Sequence, residues 1–240
     1  MTENNTPTVV LVHGAFADAS GFGRLIPELL ADGLEVVAPA GPNRSLTGDA
    51  AYLASVVRRT PGPVVLVGHS YGGAVITVAG AEENVKALVY LAGYALEEGE
   101  SLGELQGRFP ASELAEALVY APFPLDGGGE GTDVSVRPDR LPEIFAADVD
   151  PELAKVLAVT QRPLAAAAFG EAAPTAAWRT KPSWGVVATA DRTLNPDVQR
   201  FGYRRAGMTT VELDTSHLMM LSQPARVAEV IREAVRSVTG

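Results

Sequence analysis

Short apolar runs alternate with helical patterns along the first part of the chain. The runs are continuous, as expected of strands that helices cover on both faces. Alternation of this kind predicts a parallel sheet with helical crossovers. The predicted strands are Thr8–Val12, 34–38, 64–68 and Val85–Leu91, and the predicted helices between them are 21–31, 48–59 and 72–81.

The alternation stops after Gly93. Residues 96–176 contain no comparable β-rich run, but they hold helical stretches at 111–118 and 151–158. We predict a mostly helical insertion here, called the cap below. It leaves from the end of a strand, where ligands bind in open α/β sheets, so we interpret it as a lid over a pocket. The alternative for its glycine-rich stretch, 127–131, is a linker.

The alternation resumes after the cap. Residues 183–190 and Thr209–Leu213 are predicted strands, and Asn195-Pro196 has the residue types that open a helix. The last predicted helix carries an apolar stripe at i, i+3, i+4 spacing that would pack on the sheet. We therefore expect an α/β fold with about six strands, whose core is residues 1–95 and 177–240 and whose cap is residues 96–176.

Composition and charge describe an ordinary globular protein. Hydrophobic residues make up 47% and charged residues 20% of the 240 residues, and the formal net charge is −10. Nucleic-acid binding needs a basic face, so it is not expected. Without cysteine, disulfides, zinc–thiolate sites and thiol nucleophiles are excluded. Residues 1–7 lack the features of a signal peptide and no run could span a bilayer, so we expect a cytoplasmic protein away from membranes. A homodimer stays open.

Residues 68–72 read G-H-S-Y-G directly after the third predicted strand. This is the G-x-S-x-G pattern of a nucleophile elbow, a strained strand-to-helix turn that lifts the serine hydroxyl above the sheet. The glycines two residues to either side let the strand and the helix approach closely. Ser70 is therefore the candidate nucleophile.

A serine nucleophile needs an adjacent base, and the chain has three histidines. His69 is next to Ser70 in the elbow, where neighbouring side chains point in different directions. His13 belongs to the turn after the first strand, and we interpret it as bonded to local backbone. His217 follows the strand Thr209–Leu213 and is the predicted base.

The base in turn needs an acid that orients the imidazole. Asp191 directly follows the strand 183–190 and is the predicted acid. Asp214, three residues before His217, is the second choice for this role. Asp197 is expected in the first turn of the next helix, where a carboxylate complements the helix dipole.

An oxyanion intermediate needs two backbone donors. We expect one to be the amide of Tyr71, at the start of the helix after Ser70. The other should come from the turn after the first strand, where Gly14 allows close approach. Ala15 is the predicted donor there, with Phe16 as the neighbouring alternative.

These residues resemble those of the α/β-hydrolases, over nearly the whole chain and least in the cap. The closest resemblance is to the small-esterase branch of plant methyl esterases and hydroxynitrile lyases, and to related bacterial esterases. The order Ser70, Asp191, His217 is also that of the α/β-hydrolase arrangement. The matching stretches are Val12-His13-Gly14-Ala15, Gly68-His69-Ser70-Tyr71-Gly72-Gly73, Thr189-Ala190-Asp191 with Pro196 and Gln199, Ser216-His217-Leu218-Met219-Met220-Leu221 with Pro224, and in the cap 145–148, Gln161-Arg162-Pro163 and Trp178.

The resemblance implies an α/β-hydrolase fold with Ser70 as nucleophile, Asp191 as acid and His217 as base, and with the amides of Ala15 and Tyr71 as oxyanion hole. Two departures concern the lyases. Lyases of this branch carry a lysine directly after the histidine and a hydroxyl residue at the position of Gly14. Leu218 and Gly14 here both argue against lyase chemistry.

We therefore expect a serine esterase that cleaves a small carboxylic ester through an acyl-enzyme, without a metal or organic cofactor. A ligand-binding receptor on the same fold is one alternative. Lyase-like chemistry, carbon–carbon bond cleavage and acyl transfer are others. The expected partner is a small-molecule ester, and the candidate pocket walls are Phe16, Phe22, Tyr94, Tyr120, Phe123, Leu218 and Met219.

Overall fold

The structure, a computed structural model, describes residues 6–239. Residues 1–5 and 240, the outermost parts of the predicted core, lie outside the described residues, as does most of the segment 1–7 discussed above. Within the described part of the chain, no helix is long and apolar enough to cross a membrane.

The strands form two sheets. A six-stranded sheet has the order β2-β1-β3-β4-β8-β9 and is parallel throughout, and a three-stranded antiparallel sheet has the order β5-β6-β7. The six-stranded parallel sheet predicted from the sequence is thereby confirmed. The strands are β1 (Thr8–Val12), β2 (Val36–Val37), β3 (Val64–His69), β4 (Val85–Leu91), β5 (Leu118–Pro124), β6 (Glu130–Val136), β7 (Leu164–Ala165), β8 (Ser183–Ala188) and β9 (Thr209–Leu213).

Burial explains which core strands are long. β1, β3 and β8 lie inside the sheet and are buried at every residue. β2 is an edge strand whose two residues are only partly covered, and Pro39 follows soon after it. Proline cannot donate to a ladder, so the edge pairing is shorter than the predicted strand 34–38.

Helices flank the large sheet, where α1 packs against α11, and α2 against α3. Ser45 caps α2 and Asn195 caps α9 through side-chain oxygens, the latter as predicted. The apolar stripe of α11 is buried on β4 and β8. The helices are α1 (Leu25–Ala31), α2 (Leu46–Arg59), α3 (Tyr71–Ala79), α4 (Leu102–Gln106), α5 (Leu114–Ala117), α6 (Leu141–Phe145), α7 (Pro151–Val159), α8 (Ala167–Gly170), α9 (Pro196–Arg205), α10 (Met219–Ser222) and α11 (Pro224–Val238).

The cap holds the antiparallel sheet in addition to its helices. β5 is almost entirely solvent-exposed and contains Pro122 and Pro124, and β6 begins with polar residues, so neither gives a continuous apolar run. Gly127, Gly128 and Gly129 all have positive φ angles, which glycine adopts without strain, and they form the hairpin turn between the two strands. The glycine-rich stretch is therefore a hairpin turn, and the linker interpretation is wrong.

The cap is fastened to the core through the segment before α2. Arg44 donates to the Asp133 carboxylate at 2.7 Å and to the carbonyl of Pro163 at 3.2 Å, both in the cap. The amide of Ala165 in β7 donates to the carbonyl of Asn43 at 3.0 Å. These bonds hold the small sheet against the edge of the core.

Candidate active site

Ser70 lies at the junction of β3 and α3 with φ 54° and ψ −122°. A non-glycine residue with this backbone is strained by about 1–3 kcal/mol, and such strain clusters at functional sites. The flanking glycines are required by close contacts. A Cβ on Gly72 would lie 2.3 Å from the carbonyl oxygen of Val12, and one on Gly68 would lie 2.4 Å from that of Gly72. The turn thus has the geometry that the motif predicts.

Asp191 and His217 meet beyond the ends of β8 and β9. His217 Nδ1 is 2.7 Å from Asp191 Oδ2, and neither side chain is accessible to solvent. The opposite ring nitrogen, Nε2, is buried without a hydrogen-bond partner among residues 6–239. Ser70 Oγ likewise makes no hydrogen bond within the described chain. With Nδ1–H directed at the carboxylate, Nε2 carries the lone pair that a base needs.

Asp191 is held by four donors. Its Oδ1 accepts from the amides of Thr193 and Leu194 at 2.8 and 2.9 Å. Its Oδ2 accepts from Gln199 Nε2 at 2.8 Å and from His217. Gln199, fully buried, also accepts from the amide of Ala188 at 3.0 Å. These bonds compensate the buried carboxylate and fix its direction. Gln199 was recognised in the sequence only as part of the family resemblance, with no role.

The other two histidines have different partners. His13 Nδ1 donates to the carbonyl of Gly14 at 2.9 Å, and its Nε2 accepts from the amide of Gly41 at 2.8 Å. Burial lowers the pKa of His13, which keeps it neutral. His69 Nε2 donates to the carbonyl of His217 at 3.0 Å, and burial together with the nearby His217 holds the pKa of His69 well below its ordinary value. Each ring therefore has a structural role: His13 joins the turn after β1 to Gly41, and His69 supports the loop that carries His217.

The other two aspartates considered in the sequence, Asp214 and Asp197, do not contact the imidazole of His217. Asp214 is exposed, and its backbone carbonyl accepts from the side chain of Gln223 at 2.8 Å. Asp197 lies in the first turn of α9 and pairs with Arg200 at 3.0 Å. The second choice for the acid, Asp214, is therefore not placed to orient His217.

The candidate oxyanion donors border one small cavity. Ala15, Phe16, Ser70 and Tyr71 line a space of about 20 Å³, called the serine cavity below. Tyr71 is the first residue of α3, where amides have no intrahelical acceptor and the helix dipole favours negative charge. Phe16 has a left-handed backbone, with φ 61°. Strain of this kind on both sides of the serine cavity fits a site built around a reacting group.

Tyr71 is anchored through its side chain. Its hydroxyl donates to Asp49 Oδ2 at 2.8 Å, and Asp49 Oδ1 accepts from the amide of Arg44 at 3.1 Å. Burial raises the pKa of Asp49, and burial and the Asp49 charge raise that of Tyr71. The start of α3 is thereby tied to the segment that fastens the cap.

Cap residues also hold the loop that carries His217. Asp148 accepts from Thr215 Oγ1 at 2.6 Å, from the Ser216 amide at 3.1 Å and from Ser216 Oγ. Although burial would raise it, these bonds hold the pKa of Asp148 below its ordinary value. The Phe145 ring packs edge-on against the His217 ring, with centroids 5.1 Å apart. Sequence reasoning gave Asp148 no role, since its partners lie 67 and 68 residues away.

A second set of cap contacts holds the loop after Asp191. Ser112 Oγ donates to the carbonyl of Thr193 at 2.6 Å, and Thr193 Oγ1 donates to the carbonyl of Ile144 at 2.8 Å. Arg192 forms a bidentate pair with Glu113, both contacts 2.6 Å long. Both loops that follow the last two strands are therefore fixed by the cap.

The candidate pocket walls are partly placed at the site. Phe16 and Tyr94 line the serine cavity, and Leu218 lines a neighbouring space of about 30 Å³ next to His69. Phe22 and Met219 are fully buried in the core instead. Phe123 lies in the cap under the Arg44 guanidinium, 4.7 Å from its ring centroid. Within residues 6–239, no cluster of three or more histidine, aspartate or glutamate side chains could hold a metal ion.

Comparison with known families identifies the family to which this fold belongs. The model of the alpha/beta hydrolase family matches residues 9–230, so the chain belongs to that family. A comparison with curated proteins finds no match.

Solved structures of similar fold include three esterases or hydrolases. A pyrethroid hydrolase from Sphingobium faniae JZ-2 is 23% identical, with a TM-score of 0.77 over 96% of this chain and 98% of that one. Polyneuridine aldehyde esterase is 19% identical, with a TM-score of 0.83 over 95% and 98%. A methylesterase from Arabidopsis is 19% identical, with a TM-score of 0.80 over 96% and 99%. Enzymes of the kind to which the sequence was compared thus share its fold.

Proposed function

We propose that the protein is a serine hydrolase that cleaves a carboxylic ester through an acyl-enzyme intermediate. Ser70 is the nucleophile, His217 the general base and Asp191 the residue that orients it. The amides of Ala15 and Tyr71 are the oxyanion hole. No step requires a metal or an organic cofactor.

The reaction follows from the order of proton transfers. His217 Nε2 takes the Ser70 proton as Oγ attacks the ester carbonyl, and the two amides stabilise the negative oxygen. Asp191 stabilises the imidazolium through Nδ1–H. His217 then protonates the leaving alcohol, which breaks the ester bond. Water, deprotonated by the same nitrogen, attacks the acyl-enzyme and releases the acid and free Ser70.

The observation that carries this proposal is a strained serine and a buried Asp191–His217 hydrogen bond that lie at the carboxyl ends of strands of one parallel sheet, after β3, β8 and β9. His217 Nε2 is buried without a partner among residues 6–239, as is expected of a base that bonds a nucleophile or substrate. The Ser–His bond tightens in many hydrolases only when substrate is bound.

The names of similar structures support ester cleavage, since they include an esterase and a methylesterase. Lyase chemistry has less support. The residue after His217 is Leu218, which is buried and apolar, so no cation lies there to hold a cyanide ion. A receptor would need neither the strained serine nor the histidine oriented by Asp191. A cytoplasmic location stays a prediction from the sequence.

The test is hydrolysis of p-nitrophenyl acetate by the wild type and by Ser70→Ala. We expect Ser70→Ala and His217→Ala each to lower kcat by about 10⁴–10⁶-fold, because residues that act as a unit are not additive. Ser55→Ala, at a half-buried position of α2 outside the site, is the matched control and should keep full activity. A fluorophosphonate should label the peptide containing Ser70, read by mass spectrometry. If Ser70→Ala had the same kcat as the wild type, the proposal would be wrong.

A further inference from the structure

An apolar cleft of about 480 Å³ lies beside the serine cavity, between the cap and the start of α9. We call it the cap cleft. Its floor and walls come from α4, α5, β5, β6 and α8 of the cap and from the Leu194–Val198 side of the core. The lining residues are Gly103, Gln106, Gly107, Phe109, Pro110, Ala111, Ser112, Leu114, Ala115, Leu118, Tyr120, Val134, Ala166, Phe169, Leu194, Asn195 and Val198.

No charged side chain lines the cap cleft within the described chain, although the sequence has 19 lysines and arginines and 29 aspartates and glutamates. Four polar side chains line it, and three of them have hydrogen-bond partners within the protein, whereas the fourth, Tyr120, is exposed to solvent. Ser112 donates to the carbonyl of Thr193, Asn195 donates to the carbonyl of Pro110, and Gln106 donates to the Tyr94 hydroxyl. The lining therefore suits an uncharged, apolar group.

The cap cleft and the serine cavity share a wall. Leu114, Phe169 and Leu194 line both spaces. Their side chains have no polar atoms, so moving them to open a passage breaks no hydrogen bond. A group in the cap cleft can therefore be continuous with an ester carbonyl at Ser70.

The serine cavity and the cap cleft differ in volume and suit different parts of an ester. The serine cavity, about 20 Å³, has room only for the reacting group. The cap cleft, about 480 Å³, falls within the range of roughly 300–1,000 Å³ typical of ligand sites. A small ester such as an acetate of a short alcohol would leave the cap cleft unused.

We propose that the cap cleft binds an uncharged apolar portion of the substrate, an alkyl chain or a ring system, while the ester carbonyl reacts in the serine cavity. This rests on the proposed function and narrows its substrate class from small esters to esters with one bulky apolar side. Either the acyl or the alcohol side can supply that portion, and the experiment below separates the two.

The test uses two series of esters, with hydrolysis followed by titration of the released acid. One series lengthens the acyl chain of methyl esters from two to eight carbons, and the other lengthens the alcohol of acetates from one to eight. The wild-type kcat/KM should rise about threefold to fourfold for each methylene buried, in one series. Two flat series would overturn the proposal.

Two matched variants on α5 test whether the dependence of kcat/KM on chain length arises in the cap cleft. Ala115 is exposed and lines the cap cleft, whereas its neighbour Glu116 is exposed and does not line it. Ala115→Trp should lower kcat/KM for the longest ester by about tenfold or more. It should change kcat/KM for the shortest ester by no more than about twofold. Glu116→Trp should have the same kcat/KM as the wild type for both esters. Equal losses on long and short esters, or equal effects of the two variants, would contradict the assignment.

A binding measurement distinguishes failure of this inference from failure of the proposed function. 1-Octanol, uncharged and apolar, should raise the Tm of Ser70→Ala in a concentration-dependent manner, because a ligand stabilises the folded state. It should not raise the Tm of Ser70→Ala/Ala115→Trp. If the wild type cleaves no ester but octanol raises the Tm of Ser70→Ala alone, the proposed function is wrong, whereas the proposed binding site is supported. Equal shifts in both proteins, or none in either, would overturn the site.

Discussion

The core and the cap contribute to the candidate site in different ways. Every candidate catalytic residue follows a strand of the large parallel sheet: Ala15 after β1, Ser70 after β3, Asp191 after β8 and His217 after β9. The cap supplies none of them. It contacts the two loops that carry Asp191 and His217, and it walls the cap cleft. Under the proposed function, the core would supply the reacting groups, whereas the cap would hold their loops in place and form the cleft proposed for the substrate.

The largest expected effect tests the core. Asp191→Asn should lower kcat by about 10⁴-fold, because an amide favours the wrong imidazole tautomer and stabilises the imidazolium less. The fold should survive, since the side chain keeps its shape and its oxygen can still accept from the amides of Thr193 and Leu194. The measurement is ester hydrolysis at saturating substrate, beside thermal unfolding.

Asp214→Asn is the matched control for that variant, because Asp214 lies three residues from His217 and is exposed. It should keep activity within about twofold, as expected of a surface change. If Asp214→Asn were the more damaging of the two, the assignment of the acid would be wrong.

The next effect compares a core glycine with a cap glycine. An alanine Cβ at Gly72 would overlap the Val12 carbonyl at 2.3 Å, whereas one at Gly170 in α8 would meet nothing within 4 Å. Gly72→Ala should lower the free energy of unfolding by about 3 kcal/mol, since backbone has to move. Gly170→Ala should change it by about 0.5 kcal/mol or less. Urea unfolding measures both, and similar values would contradict the tight packing at the elbow.

The same contrast explains which features the sequence could predict. β1 and β4 were predicted with their observed bounds, because core strands covered on both faces are nearly continuous apolar runs. The bounds of β9 were also predicted, although it is a mostly exposed edge strand. The elbow around Ser70 is a local motif, so its strained geometry followed from five adjacent residues. The contact between Asp191 and His217 followed from strand ends meeting at one edge of the sheet.

The cap was less predictable for physical reasons. β5 is exposed on both sides and contains prolines, so its pairing with β6 leaves no apolar alternation to detect. Asp148 acts through partners that are distant along the chain, and no local pattern encodes such a contact. The cap cleft is assembled from segments of both core and cap, and its shape depends on how they pack.

A smaller effect tests the cap's role in aligning the base. Asp148→Asn should lower kcat by about 10–100-fold with little change in KM, because a slight misplacement of His217 costs rate and not ground-state binding. Asp126→Asn is the control, since Asp126 is exposed in the cap hairpin and has no ion pair within residues 6–239. Activity equal to that of Asp126→Asn would mean that the cap does not position the loop.

The smallest expected effect is the pH dependence of the stability that Asp148 provides through its bonds to the loop carrying His217. The pKa of Asp148 is held below its ordinary value of 3.8, so its charge stabilises the folded state above that pH, and this contribution is lost as the pH falls through the lowered pKa. Because Asp148 is exposed on its other side, screening limits the contribution to about 1 kcal/mol. The wild type should therefore exceed Asp148→Asn in free energy of unfolding at neutral pH, and the gap should narrow in acid. If the difference in free energy of unfolding between the two proteins, measured by urea unfolding, is constant with pH, the charge of the Asp148 carboxylate does not hold the loop. The contact between Asp148 and the loop would then depend only on neutral hydrogen bonds.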